Sequence, residues 1–409
     1  MSRTRRGVGM TRSKRARVAL VIVAAAAGLL AATAAARTDS RTAGTPIVIG
    51  WAFDGKGSMA PFDGPALAAA ELRVKQWNAK GGVGGRPLEI TTCDTQGNKP
   101  AIAKACADKL IGGGASIIFT TCDVDLAAPV VQESINKGLL TVAPCIGTDQ
   151  LGPKRFGAAG SLAFSFGNVA QDEGSAMAQY AWGRGWRTAA LATDTVIVYF
   201  KNVVQAFAAR WKQLGGKVVD QETYQSLGST NVQNVVSKWT NQNPDVFVTS
   251  TAGAFGALST LVSGLRAAGN NTPILNSWAG DGTYWLPKSP PVTNYYFVTF
   301  ASIFGDDPVP AINTLAKQVH AGTGGFVCGS AAIDGVVTAI RRAGGSLNGA
   351  ALAAQMVKFH KVPTLSGLVS FSPQLHTVFG RMYRVIKIQN NQGHLVSTVV
   401  AKVVPKISG

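Results

Sequence analysis

Twice in this chain an apolar run leads into a helix-spaced segment that a glycine pair brings to a stop. Pro46–Phe53 (PIVIGWAF) is continuously apolar, as a strand of a parallel sheet buried on both faces would be. Asp63-Gly64-Pro65 reads as a cap with proline in the first helical turn. Leu67, Ala70, Val74 and Trp77 then recur at helical spacing, with Glu71, Arg73, Lys75 and Asn78 opposite, until Gly81-Gly82 ends the helix. Strands are expected over Leu88–Cys93, Ala115–Thr120 and Leu139–Ala143, with helices over Pro100–Leu110 and Leu126–Lys137. The pattern restarts with a strand at Ala189–Thr193 and a helix over Phe200–Leu214, closed by Gly215-Gly216. Further strands follow at Lys217–Thr223, Asp245–Ser250 and Pro273–Asn276, and helices at Val232–Asn241 and Ala254–Ala268. Two α/β units in succession predict an α/β protein of two doubly wound, parallel-sheet lobes.

The remainder reads as a strand at Asn294–Phe300 and helices at Pro310–His320, Cys328–Ala343 and Gly349–Phe359. Hairpin-like strands follow at Gly367–Ser372 and Arg381–Gln389, and a turn at Gln389–Gly393 leads into His394–Val403. No low-complexity linker divides the lobes, so the chain is expected to cross between them as ordered segments.

The amino terminus sets the compartment. Arg3, Arg5, Arg6, Arg12, Lys14, Arg15 and Arg17 precede an apolar or small run from Val18 to Ala32, and Ala34-Ala35-Ala36 follows. A basic region, an apolar region and a small-residue exit form a secretory signal, with cleavage expected after Ala36. The alternative is an uncleaved anchor, since Val18–Ala36 is near the roughly 20 residues of a bilayer span. No cysteine precedes Cys93, which argues against a lipoprotein anchor. The chain carries 39 basic and 21 acidic side chains, and without the basic amino terminus the balance is +11. Those charges are scattered, unlike the clustered stripe of a nucleic-acid reader.

Ile47–Phe53, Gly64 with the helix Ala66–Lys80, and the segment Gly81-Gly82-Val83-Gly84-Gly85-Arg86-Pro87-Leu88-Glu89 resemble the opening of type I periplasmic-binding proteins. Within them the likeness is to the leucine/isoleucine/valine-binding branch of transporter receptors. Arg266-Ala267-Ala268-Gly269 before Pro273-Ile274-Leu275, and Val369-Ser370-Phe371-Ser372-Pro373, extend the resemblance over roughly residues 45–403. It implies two lobes joined by three hinge crossings, near Ala163–Phe166, Thr299–Ile303 and Val369–Ser372. The amino-terminal lobe would then be 37–163 plus 302–367, and the other lobe 164–301 plus 368–409. A ligand would lie between them and be enclosed by hinge closure. The resemblance further implies an extracytoplasmic solute-binding protein, monomeric, with a small-molecule ligand, ABC transporter permease partners, no cofactor and no nucleic acid. Branched-chain or related amino acids are its expected ligands, with amides and small carboxylic acids as alternatives. A sensory receptor subunit using the same cleft is a second reading, and an exported hydrolase a third.

Ligands of α/β lobes gather at the carboxyl ends of strands. That rule nominates Asp54–Phe62, Thr120–Asp125, Pro144–Thr148, Asp194–Tyr199, Thr251–Phe255 and Trp278–Asp281. The resemblance puts the anchor for an amino acid's carboxylate in the loops holding Thr121, Asp123 and Asp125 and holding Cys145, Ile146 and Gly147. It also puts an aromatic of the second lobe at Tyr199, and an acid for the ligand ammonium at Asp281. Phe62, Phe255 and Trp278 are candidate cleft walls, or core packing. The sequence departs from the family where serines are usual, because Cys122-Asp123-Val124-Asp125 brings two acids that would repel a carboxylate. Either these acids point away, one of them capping the helix that follows, or the ligand is not an ordinary α-amino acid.

Five cysteines fit an oxidising compartment. Of the three pairings open to the first four, Cys93–Cys106 and Cys122–Cys145 are favoured, since Cys122 and Cys145 end neighbouring strands; Cys328 is left over. The histidines are dispersed and no Cys-x-x-Cys occurs, which argues against zinc. Gly82-Val83-Gly84-Gly85 follows a helix instead of opening one, the wrong context for a dinucleotide loop. No Gly-x-Ser-x-Gly elbow is present.

Overall fold

The computed structural model describes residues 44–227 and 231–407. The segment 1–36, with its cleavage point after Ala36, lies outside the described residues. Among the described residues no helix is long and apolar enough to cross a membrane.

The first lobe opens with β1 (Ile47–Phe53), α1 (Ala60–Asn78), β2 (Leu88–Asp94), α2 (Pro100–Gly112), β3 (Ile117–Phe119), α3 (Val124–Asn136) and β4 (Leu140–Ala143). A short α4 (Pro153–Phe156) leads to β5 (Ala163–Asn168). The chain then enters the second lobe through α5 (Ala170–Gly183), β6 (Thr188–Asp194), α6 (Val198–Gln213), β7 (Lys217–Tyr224) and α7 (Val232–Trp239). It continues with β8 (Val246–Ser250), α8 (Ala257–Ala267), β9 (Ile274–Asn276) and β10 (Tyr295–Thr299). Helices α9 (Pro310–Gln318), α10 (Phe326–Arg342) and α11 (Gly349–Met356) follow, with α10 packed along α1 of the first lobe. Five short strands end the described chain: β11 (Val362–Thr364), β12 (Gly367–Val369), β13 (Thr377–Val378), β14 (Tyr383–Gln389) and β15 (Gln392–Val399).

The first sheet runs β2-β1-β3-β4-β5-β13, with every pair parallel. The second runs β7-β6-β8-β9-β10-β14-β15, parallel as far as β10 and antiparallel beyond it. Strand order reverses beside β1 and β3 in one sheet and beside β6 and β8 in the other. These are the switch points where an open α/β sheet forms a crevice. Central strands are buried along their length, as the apolar runs require: β3, β4, β8, β9 and β10 are buried at every position.

The glycine pairs act as the sequence suggests. Gly81 and Gly82 both have positive φ, and a Cβ on Gly82 would lie 2.0 Å from the Arg86 carbonyl oxygen. After α6, Gly215 has φ +89° and the Gly216 backbone lies against the Trp211 ring. A side chain could not take Gly82's or Gly216's place without moving the chain.

The sheets shift two boundaries expected from the resemblance. Residues Ala163–Phe166, expected as the first crossing, belong to β5 of the first sheet, which runs to Asn168. Past the third crossing expected near Val369–Ser372, the chain still pairs with the first sheet. The reason is that β12 pairs with β11 in a separate ribbon and β13 returns beside β5 before the chain leaves. Sheet membership thus assigns residues 164–168 and 377–378 to the first lobe. The second and third crossings are tied together by a buried ion pair, with Arg384 Nε and Nη2 donating to Asp307 at 2.9 and 3.0 Å.

Candidate functional site

The two switch points face each other across a small cavity. Met59 and Phe62 come from the loop and helix after β1, Cys122 and Asp123 from the loop after β3. Ile197, Tyr199 and Phe200 follow β6, Ala252 and Phe255 follow β8, and Trp278 and Ala279 follow β9. The space is about 20 Å³, room for one water-sized group. Wider concavities of about 600 and 540 Å³ lie on outer faces, the first along α1, α9 and α10, the second against α5 and β15. Neither is at the carboxyl end of a sheet.

Aromatic rings form most of the wall. Phe62 meets Trp278 edge-on at 4.9 Å between centroids, Tyr199 lies 6.3 Å from Trp278, and Phe200 meets Phe255 at 5.6 Å. Trp278 is backed by Phe300, stacked at 5.0 Å. Such edge-to-face sets add a little beyond the area they bury.

The two aspartates after β3 have separate tasks. Asp123 is the N-cap of α3, its Oδ1 accepting the backbone N–H groups of Asp125 and Leu126 at 2.9 and 3.1 Å. Asp125 turns outward and over the cleft. Its Oδ2 accepts the N–H of Val198 at the start of α6 in the other lobe, at 2.8 Å, and Arg155 donates to its Oδ1 at 2.5 Å. Asp63 ties the loops of the first lobe, accepting from Asp54 N–H at 2.8 Å and Cys122 N–H at 3.0 Å. Cys122 is bonded to Cys145, with Cα atoms 4.8 Å apart, and Cys93 to Cys106, at 5.5 Å. This is the pairing favoured from the sequence. Cys328 is free and buried in α10.

A carboxylate absent from the sequence reading lies behind the aromatics. Glu173, in the first turn of α5, accepts Tyr199 Oη–H at 2.8 Å and the Trp278 N–H at 2.6 Å. Burial pushes Glu173 up to about 8, with these two bonds acting against it. Asp123 is raised to about 7, by burial first and then by the charge of Asp125. Asp63 rises to about 7, again by burial. Tyr199 is raised well above its ordinary value by burial and by Glu173.

Of the residues expected at the site, Phe62, Asp123, Tyr199, Phe255 and Trp278 converge on the cavity. Thr121, Cys145 and Ile146 are buried outside its wall, and the Ile146 carbonyl accepts from Ser165. Gly147 faces Tyr199 so closely that a Cβ there would lie 2.6 Å from Cε2. Asp281 is away from the cavity and already engaged: Thr299 Oγ1, Gly324 N–H and Gly282 N–H donate to it at 2.6, 2.5 and 2.6 Å. Its expected role toward a ligand ammonium is filled here by a protein donor set. The sequence reading also missed Phe200, whose helical spacing with Val203 and Phe207 marks it only as core. Among the described residues no cluster of His, Cys, Asp or Glu is arranged to hold a metal ion.

A family model described as periplasmic binding protein matches residues 46–393. Among solved structures, the chain is similar to the branched-chain amino acid transporter substrate binding protein LivJ of Streptococcus pneumoniae, in complex with isoleucine. That likeness has 19% identity over 88% of this chain and 100% of the other, with a TM-score of 0.74. It is similar to the leucine binding protein LivK of Thermotoga maritima, at 16% identity over 86% and 98% of the two chains, TM-score 0.72. It is also similar to a solute binding protein of an ABC transporter from R. palustris in complex with benzoate, at 18% identity over 88% and 98%, TM-score 0.70. No curated protein sequence matches. At these identities the structural likeness is one of fold.

Proposed function

The chain belongs to the periplasmic binding protein family, and from that premise we propose that it is the extracytoplasmic solute-binding subunit of an ABC transporter. It takes one small organic molecule between its lobes, closes over it by a hinge motion and delivers it to permease subunits. One observation carries this reading: the switch points of two separate sheets share one buried, aromatic-walled cavity. A ligand there touches both lobes, so its binding energy favours the closed arrangement over the open one. Asp125 on Val198 and Thr148 Oγ1 on Asn202 Oδ1, at 3.1 Å, are contacts that closure makes. The protein binds without turnover in this reading, because the polar groups at the cavity cap a helix or hold aromatic partners in place. One solved relative is in complex with isoleucine and another with benzoate, and a ligand of that size would need the lobes to part beyond the present space of about 20 Å³. We take the mature chain, from residue 37, to be exported and monomeric, with no nucleic-acid partner.

The test is calorimetry and thermal shift on the mature chain with a panel of amino acids, amides, small aromatic acids and amines, alongside solution scattering. One compound should bind at one site per chain, add about 2.7 kcal/mol of stability at a hundred times its dissociation constant, and reduce the radius of gyration. Binding without compaction would contradict hinge closure. Catalytic conversion of a bound compound would overturn the assignment as a binder.

A further inference from the structure

We propose that the ligand of this cleft is a small organic cation, an amine with an apolar body and no carboxylate at its polar end. The inference rests on the cleft being the ligand site, and it narrows the class of ligand.

A helix N-terminus offers backbone N–H groups and a positive dipole end to an anion. Of the helices that begin at this cleft, α3 and α6 have starts closed by carboxylates of the protein, while the first N–H groups of α1 are taken by the carbonyls of Gly57 and Met59. Asp123 Oδ1 occupies the α3 terminus, and Asp125 Oδ2 reaches over from the first lobe to occupy the α6 terminus. A ligand carboxylate brought to either place would have to displace a carboxyl group of the protein already bonded there. Among the described residues lining the cavity there is no lysine, arginine or histidine. Arg155, the cation beside this loop, is bound by Asp125 and does not line the space.

What the cavity does present suits a positive group. Asp123 is 3% exposed and lies on the wall, and its α3 cap uses only Oδ1. Oδ2 makes no hydrogen bond among the described residues and can accept from an ammonium. The rings of Phe62, Tyr199, Phe200, Phe255 and Trp278 line the same space. Aromatic faces attract a cation, most strongly where water is excluded, while their apolar carbon suits an alkyl or aryl body. Burial favours the protonated form of Asp123, and an arriving ammonium would return it to the charged form. Asp281 takes no part, since protein donors surround it.

The experiment uses matched pairs that differ at the carboxylate. Leucine is compared with 3-methylbutylamine, and benzoate with benzylamine, by calorimetry on the mature chain at pH 7.5. The amine of each pair should bind at least tenfold more tightly than its carboxylate counterpart. Asp123→Asn should weaken amine binding at least tenfold without lowering the melting temperature, because asparagine caps a helix as well as aspartate does and carries no charge to bury. Tighter binding of leucine or benzoate than of the paired amine would overturn the cation assignment and leave the cleft standing as a ligand site. Unchanged amine affinity in Asp123→Asn, with amines binding, would overturn Asp123 as their partner. Silence from all four compounds and from the wider panel would remove both this inference and the solute-binding reading.

Discussion

Asp125 of the first lobe accepts the backbone N–H of Val198 in the second at 2.8 Å, so the helix that begins at Val198 is capped from across the cleft. Ile197, the residue in the N-cap position of α6, supplies no side-chain bond of its own. Removing an N-cap side chain costs about 1 kcal/mol, and here that cost falls only on the closed arrangement. Asp125→Ala should therefore speed ligand release about fivefold, while Asp125→Asn retains most of the effect. Stopped-flow dissociation measures it. The adjoining ion pair with Arg155 is part-exposed and adds little, so Arg155→Ala should change release by less than twofold.

Gly147 and Tyr199 are a second contact between the lobes. Any Cβ on Gly147 would meet the Tyr199 ring at 2.6 and 2.9 Å, too close for closure to proceed. Gly147→Ala should keep each lobe folded but hold the cleft ajar, with ligand affinity at least tenfold weaker, within the usual 1–3 kcal/mol of overpacking. Scattering should show the variant failing to compact with saturating ligand, and a normal compaction would contradict this contact's role.

The buried acids give stability an unusual pH dependence. Asp63, Asp123 and Asp281 are raised to about 7 and Glu173 to about 8, each chiefly by burial. The folded protein then binds protons that the unfolded chain has released above pH 4–5, so stability falls as pH rises through 7 to 8. Asp108, Asp220 and Asp245 are shifted downward, but their contribution is complete below that window. His376 is lowered by burial and pulls the other way below about 6.5. Arg155 and Asp125 face Asp123 with opposing charges, and Tyr199 faces Glu173 as a neutral donor. The melting temperature should fall between pH 6 and pH 8.5, and a saturating amine should flatten that slope. A melting temperature that rises across this window would contradict the burial of these acids.

The two disulfides should differ in what they control. Each closes a loop worth about 3 kcal/mol in the chain-entropy account, from sequence separations of 13 and 23. Replacing Cys93 and Cys106 by alanine should lower thermal stability and leave affinity within twofold. Replacing Cys122 and Cys145 should lower both, because that bridge joins the loop that carries Asp123 to the loop that carries Gly147. Equal affinity in the two double variants would contradict the distinction.

Much of this arrangement was legible in residue order. Apolar runs located the buried strands, glycine pairs located the ends of α1 and α6, and strand ends named most of the cavity wall. The cysteine pairing followed from the same placement. Helix α5 was not read, and the reason is physical. From Ala170 through Ala178 every residue is buried, including Gln171, Asp172, Glu173 and Ser175, so no apolar stripe alternates with a polar one. Glu173 was lost with it, because a buried glutamate whose partners are Tyr199 and the Trp278 backbone leaves no local signal. Strand β13 was not read for a similar reason. The two-residue strand β13 is too short to show a period, and only its pairing with β5 reveals that the chain is still in the first lobe.

The late strands β13 and β14 have a consequence for how the chain is made. β13 completes the edge of the first sheet beside β5, and β14 lies inside the second between β10 and β15. A polypeptide emerging amino end first cannot finish either sheet until Thr377–Gln389 has been synthesised, however early β1 and β6 appear. Until then both lobes keep open, unpaired strand edges and stay short of their final stability.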